Sequence, residues 1–598
     1  MTANTIPGLV VEQGAKNPAS PAHFRRINGE WQPTTWADYA ARVRQVARAF
    51  IHLGLEPGHT VGILGPNSQE WVIFHVGAMA AGCVPAGIYP TSSADEIAYV
   101  ASHAENRAML VANADLYAKS SEAREKLPNM HVVSLQDEPP LPEGVMSWQE
   151  FLSLGDEQYD EELNRRLESL EPGQLATLIY TSGTTGLPKG VMLSHDNLYY
   201  TSSEAGKLYD VGPQDRLLSY LPLSHIAEQM FTVHVPASTG SAIYFSRGID
   251  FLGEDLAEVH PTLFFGVPRV WEKFQAAIAS NLNEASALRQ KMFNWALRVG
   301  QRVAERQLDS QPVGLPLRLQ HGIARRLVHQ KIRGALGMDA ARAFMSGAAP
   351  LSRETMDFFA GLGMPILDLY GQSEDTGPTT INTPERYRPG TVGRPFPGVD
   401  VRLDEDGEIL VRGRNVFLGY YKDPEATDAT LRDGWLHSGD LGEFDRDGFL
   451  KVTGRRKDII ITSGGKNIAP QLIEDSIKAN ELVAEAVLIG DRRNYVTALI
   501  TLDEEATKAF MERERLQGDP VTHPRVREVL QTTIDATNEH FARVEQVKKF
   551  TILPGAFSIE GGEFTPTLKV KRNVVMEKYA DVIEQLYSEE GEPATPSR

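Results

Sequence analysis

Two kinds of segment alternate along the first 135 residues, and that alternation narrows the architecture more than any other feature. WADYAARVRQVARAFIHLG (36–54) repeats apolar residues at intervals of three and four, the spacing of a helix with one buried face. TVGILG (60–65) follows as a short apolar run, the pattern of a buried strand. EIAYVASHAENR then AMLVAN, and EKLPN then MHVVSL, repeat the order. The pattern predicts an α/β layer structure with a large share of parallel sheet. The 598 residues suffice for about four domain-sized units, or for one large unit with an appended domain.

Trp71 to Pro90 (WVIFHVGAMAAGCVPAGIYP) is uncharged and about long enough to span a bilayer. Pro85, three glycines and His75 interrupt it, so it reads as a buried helix leading into a buried strand. The first residues, MTANTIPGLV, lack a basic stretch followed by an apolar one, and a signal peptide is not expected; the cytosol is the expected compartment.

Between about Thr383 and Thr453 the texture changes to short strands (VDVRL, EILVRG, FLKVTG) separated by turns such as DEDG and DRDG. After the short charged linker GRRKD (454–458), which suits a hinge, mixed helices and strands return. The expected fold is α/β. A large multi-layered N-terminal domain (1–454) has parallel-rich sheets and contains a small antiparallel β-unit (383–453). A smaller α+β C-terminal domain (455–598) follows and ends in a tail, SEEGEPATPSR, expected to be disordered.

The net charge of −19 argues against a nucleic-acid partner, because phosphate backbones are held by an excess of Lys and Arg. Cys83 is the single cysteine; its apolar setting, AAGCVPAG, marks a small buried hydrophobe, and neither an intrachain disulfide nor a cysteine metal cluster can form. No H-E-x-x-H or similar histidine spacing points to zinc. Residues 311–338 carry Arg318, Arg325, Arg326, Lys331 and Arg333 without an acidic residue. This segment is either the solvated face of a packed helix or a peripheral contact with anionic lipid.

YTSGTTGLPKG (180–190) follows the strand-like LATLIY and holds the densest set of anion-binding groups. Gly183 and Gly186 let backbone N–H groups curl around an anion, while Thr181, Ser182, Thr184, Thr185 and Lys189 complete a polyphosphate cradle. It is not a Walker P-loop: Pro188 precedes the lysine and Gly190 follows it, where Gly and Ser/Thr are required.

Downstream stand SGAAPL (346–351), DLYGQSE (368–374), WLHSGDLG (435–442), GRRKDIIITSGGKNI (454–468) and TPTLKVKR (565–572). Together with the loop, these motifs resemble the adenylate-forming (AMP-binding) superfamily, in the family's order and over nearly the whole chain. HVVSL, PTLFFGVPRVWEK (261–273), IGDRRNYVTALIT (489–501) and GGEFTPTLKVKR are similar to long-chain fatty acyl-CoA synthetases in particular. The resemblance implies an ATP- and Mg²⁺-dependent enzyme that joins a long-chain fatty acid to AMP, releases pyrophosphate, and passes the acyl group to coenzyme A. An acyl-AMP ligase loading a carrier protein is the alternative, although no carrier domain is evident; a nucleotide-binding module without turnover is a further one.

The resemblance also implies roles. Glu374 would hold Mg²⁺, with Thr181 nearby, and Thr185 would act on the phosphates beside the rest of the loop. Tyr370 would offer its ring to adenine against a wall of Gly347, Ala348 and Ala349, with Gly371, Gln372 and Ser373 completing the nucleotide site. Alone, Tyr370 reads equally as a core aromatic. Asp440 would grip the ribose hydroxyls, paired with Arg455. Lys569 would bridge the substrate carboxylate and the α-phosphate, a task for a point charge on a flexible stem. Lys571 and Arg572 read as solvated neighbours. Lys457 marks the pivot of a mobile C-terminal domain; Ser463 and Gly464 would form part of the CoA channel, and Lys466 would contact phosphate.

His225 resembles a histidine at the acyl entrance, with a satisfied core histidine as the rival reading, and Gly347 would border the acyl site. The acyl tail would lie among FTVHV, SAIYF and TLFFGV in segment 231–270. Neither oligomeric state nor preferred acyl length has a readable pattern.

Overall fold

Residues 4–136, 141–181, 187–309, 311–566 and 569–588 are described by a computed structural model. The alternating segments build an eight-stranded sheet. Thr60–Leu64 lies at its centre, paired in parallel with Val84–Ile88 on one side and Ala108–Val111 on the other. His131–Ser134 and Val145–Ser147 extend it in parallel beyond Ala108–Val111. The uncharged stretch folds as the helix Gln69–Ala80, buried except at Glu70, and the wholly buried strand Val84–Ile88. Cys83 is 2 % exposed, and burial pushes its thiol up to about 12. Among the described residues no helix is long and apolar enough to cross a membrane.

On the other flank Val84–Ile88 pairs in parallel with Leu175–Thr181, which turns back antiparallel into Lys189–Ser194. The Thr/Gly-rich bend therefore joins two strands of a hairpin, with Thr181 opposite Lys189. A Walker loop instead joins a strand to a helix. A second sheet holds Leu263–Gly266, Ala343–Ser346 and Ile366–Tyr370 in parallel, extended antiparallel by Thr380–Ile381 and Arg394–Pro395. A third holds Arg216–Ser219, Ala242–Phe245 and Pro21–Ile27 in parallel, with Glu30–Thr35 added antiparallel at the edge.

The antiparallel unit expected over 383–453 is narrower than its turns imply. Its own sheet comprises Asp400–Leu403, Glu408–Arg412, Trp435–Phe444, Leu431–Arg432 and Leu450–Arg455. Arg394–Pro395 instead joins the second sheet, and Gly419–Tyr420 adds to the edge of the eight-stranded one. Short strands bind wherever their N–H and C=O groups find partners, and Gly419–Tyr420 finds its partner more than two hundred residues away.

The buried apolar clusters divide along the chain: some use buried residues up to Leu450, the others residues from Ile460 onward. The second group surrounds the sheet Val483–Ile489, Val496–Leu502 and Val547–Ile552. Few polar contacts cross between them. Arg269 lies 3.1 Å from Glu485, Lys571 lies 3.8 Å from Glu96, and Thr91 donates to the Pro566 carbonyl at 3.2 Å. A smaller body docked through scattered polar contacts can move relative to the larger.

Candidate functional site

The second sheet's parallel strands end at a cavity of about 1300 Å³ that also receives residues from the C-terminal body. Carboxyl ends of parallel strands are where open α/β sheets bind ligands. At the end of Ile366–Tyr370 the chain reverses so tightly that a Cβ on Gly371 would sit 1.4 Å from the Gly377 carbonyl oxygen. Asp375 braces this bend: its carboxyl accepts from the Gln372 N–H at 2.7 Å and from the Thr379 hydroxyl. Burial pushes Asp375 up to about 8.

The bend aims Tyr370 and Gln372 at Asp440. The Tyr370 hydroxyl and Gln372 Nε2 both donate to Asp440 Oδ2 at 2.7 Å, and Arg455 Nε lies 3.2 Å from Oδ1. Asp440 and Arg455 are ladder partners in the antiparallel sheet, which accounts for their closeness. Burial, then the Asp440 charge, holds the Tyr370 hydroxyl protonated well above the ordinary range. It is therefore a fixed donor.

Glu374 Oε1 accepts from the Tyr420 hydroxyl at 2.8 Å. Lys189 Nζ sits 4.8 Å from the centre of the Tyr420 ring and 3.6 Å from Asp423. Tyr420 thus ties the lysine of the Thr/Gly-rich hairpin to the YGQSE glutamate. Sequence reasoning missed it, because the pairing of Gly419–Tyr420 with Lys189–Ser194 spans more than two hundred residues. Thr181 lines the same cavity, whereas Ser182, Gly183, Thr184, Thr185 and Gly186 lie outside the described residues.

Lys569 enters the cavity from the C-terminal body, its N–H donating to the Thr565 hydroxyl at 3.0 Å. Among the described residues its ammonium makes no hydrogen bond or ion pair. Burial, then repulsion by Arg455, lowers it to about 8, while Asp440 and Glu374 pull the other way. Two cations converging on a half-enclosed space form a site for an anion. His225 faces the same space. Its Nδ1 accepts the Ala227 N–H at 3.2 Å, placing the ring proton on Nε2, and burial, then Lys569, lowers it to about 4. It is a neutral donor at physiological pH.

The remaining expected residues fall into two groups. Ala348, Ala349, Ser373 and Lys457 line the cavity, Lys457 on the short turn Arg456–Asp458. Ala348 has φ +70°, which turns the chain away after the strand Ala343–Ser346. Arg456 anchors that short turn through Glu408 at 2.8 Å. Gly347 stands behind the wall, where a Cβ would lie 3.0 Å from Leu369 Cδ1. Ser463, Gly464 and Lys466 are exposed on a turn outside the cavity, where the Ser463 hydroxyl donates to Asn494 at 2.6 Å.

Two expectations need correction. SAIYF does not line the cavity: Ile243 and Phe245 are core residues of the third sheet, while Phe231, Val235, Leu263 and Phe265 form the apolar wall. Strand and tunnel wall carry the same apolar pattern, so only the topology separates them. Arg572 is not solvated. It binds Glu474 through both carboxylate oxygens at 2.7 and 2.8 Å and the Leu488 carbonyl at 2.8 Å, because a carboxylate as buried as Glu474 needs a partner. Asp368, the first residue of DLYGQSE, also lines the cavity, and burial pushes its carboxyl well above the usual range; the sequence reading had given it no role.

The lowered Lys569 gives a pH expectation. The charged ammonium is lost as pH rises through about 8, so kcat/KM for any step needing that charge falls above this value. A pH–rate profile of the free enzyme with Lys569→Arg as comparison checks this; the arginine variant should show no such limb.

Comparison with known proteins places this geometry. The AMP-binding enzyme family matches residues 10–421, and the AMP-binding enzyme C-terminal domain matches residues 457–591. A human protein named long-chain-fatty-acid–CoA ligase ACSBG2 is 37 % identical, covering 98 % of this chain and 93 % of its own. Long-chain-fatty-acid–CoA ligase FadD15 of Mycobacterium bovis is 37 % identical, covering 98 % of both chains. Among solved structures, ATP-bound MatB from Rhodopseudomonas palustris has a TM-score of 0.68 at 24 % identity, covering 97 % of this chain and 100 % of its own. The anthranilate CoA ligase AuaEII with anthranoyl-AMP has a TM-score of 0.71 at 19 % identity, covering 97 % and 98 %. Matches of this extent leave one assignment: the chain belongs to the AMP-binding enzyme family.

Proposed function

We propose that the protein is a long-chain fatty acid:CoA ligase working through an acyl-AMP intermediate. The observation that carries the reading is the Lys569 ammonium, which makes no hydrogen bond or ion pair among the described residues and shares one apolar-walled cavity with Arg455 and the Asp440–Tyr370–Gln372 cluster. A carboxylate is a poor electrophile, since attack on it must expel an oxide. Its oxygen attacks the α-phosphorus of ATP, pyrophosphate leaves, and the resulting acyl-AMP has a competent leaving group. The CoA thiol then gives up its proton, attacks the acyl carbon and displaces AMP.

In the first step two anions must approach, and Lys569 offsets their repulsion where charge builds up. Asp440 holds the ribose diol. Three of its roughly four acceptor positions are taken here, so the diol occupies the last and displaces a donor. Tyr370 orients adenine against Ala348 and Ala349. Neutral His225 donates from Nε2 toward the acyl carboxylate without adding a charge that Lys569 would repel.

The residues fit Mg²⁺. Glu374 uses one oxygen on Tyr420, leaving the other for a hard cation, and the Thr181 hydroxyl shares the cavity. When bound, the ion supplies charge neutralisation at the polyphosphate; Glu374, Thr181 and the phosphate oxygens would hold it.

In the second step the C-terminal domain turns about Lys457. That movement withdraws Lys569 and brings the Ser463–Lys466 turn, outside the cavity in this arrangement, to the thiol's path. The test is pyrophosphate release with palmitate, with and without CoA. Release with CoA and formation of palmitoyl-CoA is expected. Release without transfer to CoA favours carrier-protein loading, and no release with any carboxylic acid overturns the enzyme reading.

A further inference from the structure

Residues 287–338 hold ten basic and two acidic residues in a chain whose net charge is −19. They fold as the helix Ala287–Leu308, then Leu315–Ala324, continued through the wider turn Arg325–His329 into Gln330–Ala335. The inner side of the second arm packs into the core through Leu317, Ala324 and Val328, which are 7 %, 0 % and 5 % exposed. Its outer side carries a row of large apolar residues at intervals of four: Leu315, Leu319, Ile323 and Leu327, at 72 %, 70 %, 53 % and 42 % exposure. Scattered exposed leucines are ordinary, but a continuous row along one helix is not.

Cations flank the row. Arg318, Arg325, Arg326 and Lys331 are exposed, and among the described residues none forms an ion pair. Arg298 and Arg302 on the first arm are likewise exposed and unpaired. Arg333 differs, being turned inward onto the carbonyls of Met338 and Ala341. Elsewhere the chain pairs its exposed arginines readily, as in Arg353–Asp357 and Arg412–Asp400.

We propose that this outer face docks on an anionic lipid bilayer, with the leucine row entering the acyl boundary and the arginines on the phosphate level. An apolar stripe alone would suit several occupants; the charge selects one. In a symmetric dimer the same patch meets itself, which would set unpaired cations against their own copies. A bilayer of negative surface potential complements both the row and its flanks. Two packed helices connect the face to the cavity wall. The helix Arg353–Gly361 packs on Ala287–Leu308 so closely that a Cβ on Gly300 would lie 1.9 Å from the Gly361 carbonyl oxygen. That same helix supplies Arg353, Glu354 and Met356 to the cavity wall. A protein docked here draws its acyl substrate from the layer in which such acids partition, which rests on the proposed substrate class. The docking itself does not.

Co-sedimentation of the full chain tests it, using vesicles of equimolar phosphatidylcholine and phosphatidylglycerol against pure phosphatidylcholine. Binding to the mixed vesicles is expected to be about tenfold tighter or more, and to weaken with added salt. Leu319→Glu/Ile323→Glu and Arg325→Glu/Arg326→Glu should each weaken it by about tenfold, with melting temperature and pyrophosphate release from albumin-delivered palmitate unchanged. Absent or lipid-independent binding by the unaltered protein overturns the proposal without any variant. So does wild-type binding by both variants, or a dimer in solution that Leu319→Glu/Ile323→Glu dissociates. A protein that binds vesicles yet releases no pyrophosphate keeps this inference and loses the enzymatic one.

Discussion

Lys569→Met lowers acyl-AMP formation by about a thousandfold or more, near 4 kcal/mol of lost transition-state stabilisation, while conversion of supplied palmitoyl-AMP to palmitoyl-CoA stays within a few-fold of normal. The asymmetry follows from where the charge sits. Lys569 reaches the cavity from the C-terminal body, and its ammonium has no partner of its own among the described residues. It therefore serves only while that body is docked as seen here. Pyrophosphate release and the isolated second half-reaction measure the two steps separately. Equal loss in both would show a residue needed for folding or for CoA.

The same substitution should make the protein more stable. Burial and Arg455 lower Lys569 from the ordinary 10.5 to about 8, so between these values the unfolded chain binds more protons than the folded one. Stability from this group therefore rises with pH across that window, and below it the buried ammonium is a constant cost. Lys569→Met removes the cost: its melting temperature at pH 7 should exceed that of the unaltered protein, and the rise between pH 8 and 10.5 should flatten. A residue that weakens the fold and is indispensable to one half-reaction has the profile of a functional group. A structural lysine would show the reverse.

Gly371→Ala carries the second large effect. The added Cβ would meet the Gly377 carbonyl oxygen at 1.4 Å, and that atom belongs to backbone which cannot rotate aside. Either strand end or returning chain must shift by more than an ångström, at a cost of about 1–3 kcal/mol or more in stability. The shift passes directly to Tyr370 and Gln372, whose donors meet at Asp440 Oδ2. A displacement of this size in a positioned site costs about a hundredfold in rate. Activity should thus fall much further than the melting temperature, which thermal unfolding and the pyrophosphate assay measure on one preparation. A glycine with room around it, such as Gly434, should accept alanine at the cost of its left-handed backbone alone.

Much of the site was legible because its parts are local. YGQSE is a single bend, HSGDLG and Gly454–Arg455 lie on neighbouring strands whose ladder pairs Asp440 with Arg455, and the Lys569 N–H returns to the nearby Thr565 hydroxyl. Helices with one buried face and fully apolar strands were legible for the same reason: burial on one or two sides writes a period into the residues. What depended on distant partners was not. Tyr420 reaches Glu374 through a strand pairing with the hairpin, Arg572 owes its burial to Glu474, and SAIYF became core because a third sheet claimed it. The leucine row of 315–327 was hidden differently, since apolar spacing shows that a face exists but not whether protein or solvent covers it.

Palmitate labelled with ¹⁸O in its carboxylate gives the most direct test of the central claim. If the carboxylate attacks the α-phosphorus and AMP later departs with the bridging oxygen, each turnover leaves one labelled oxygen in AMP and none in pyrophosphate. Label in pyrophosphate or inorganic phosphate, or unlabelled AMP beside palmitoyl-CoA, would contradict it.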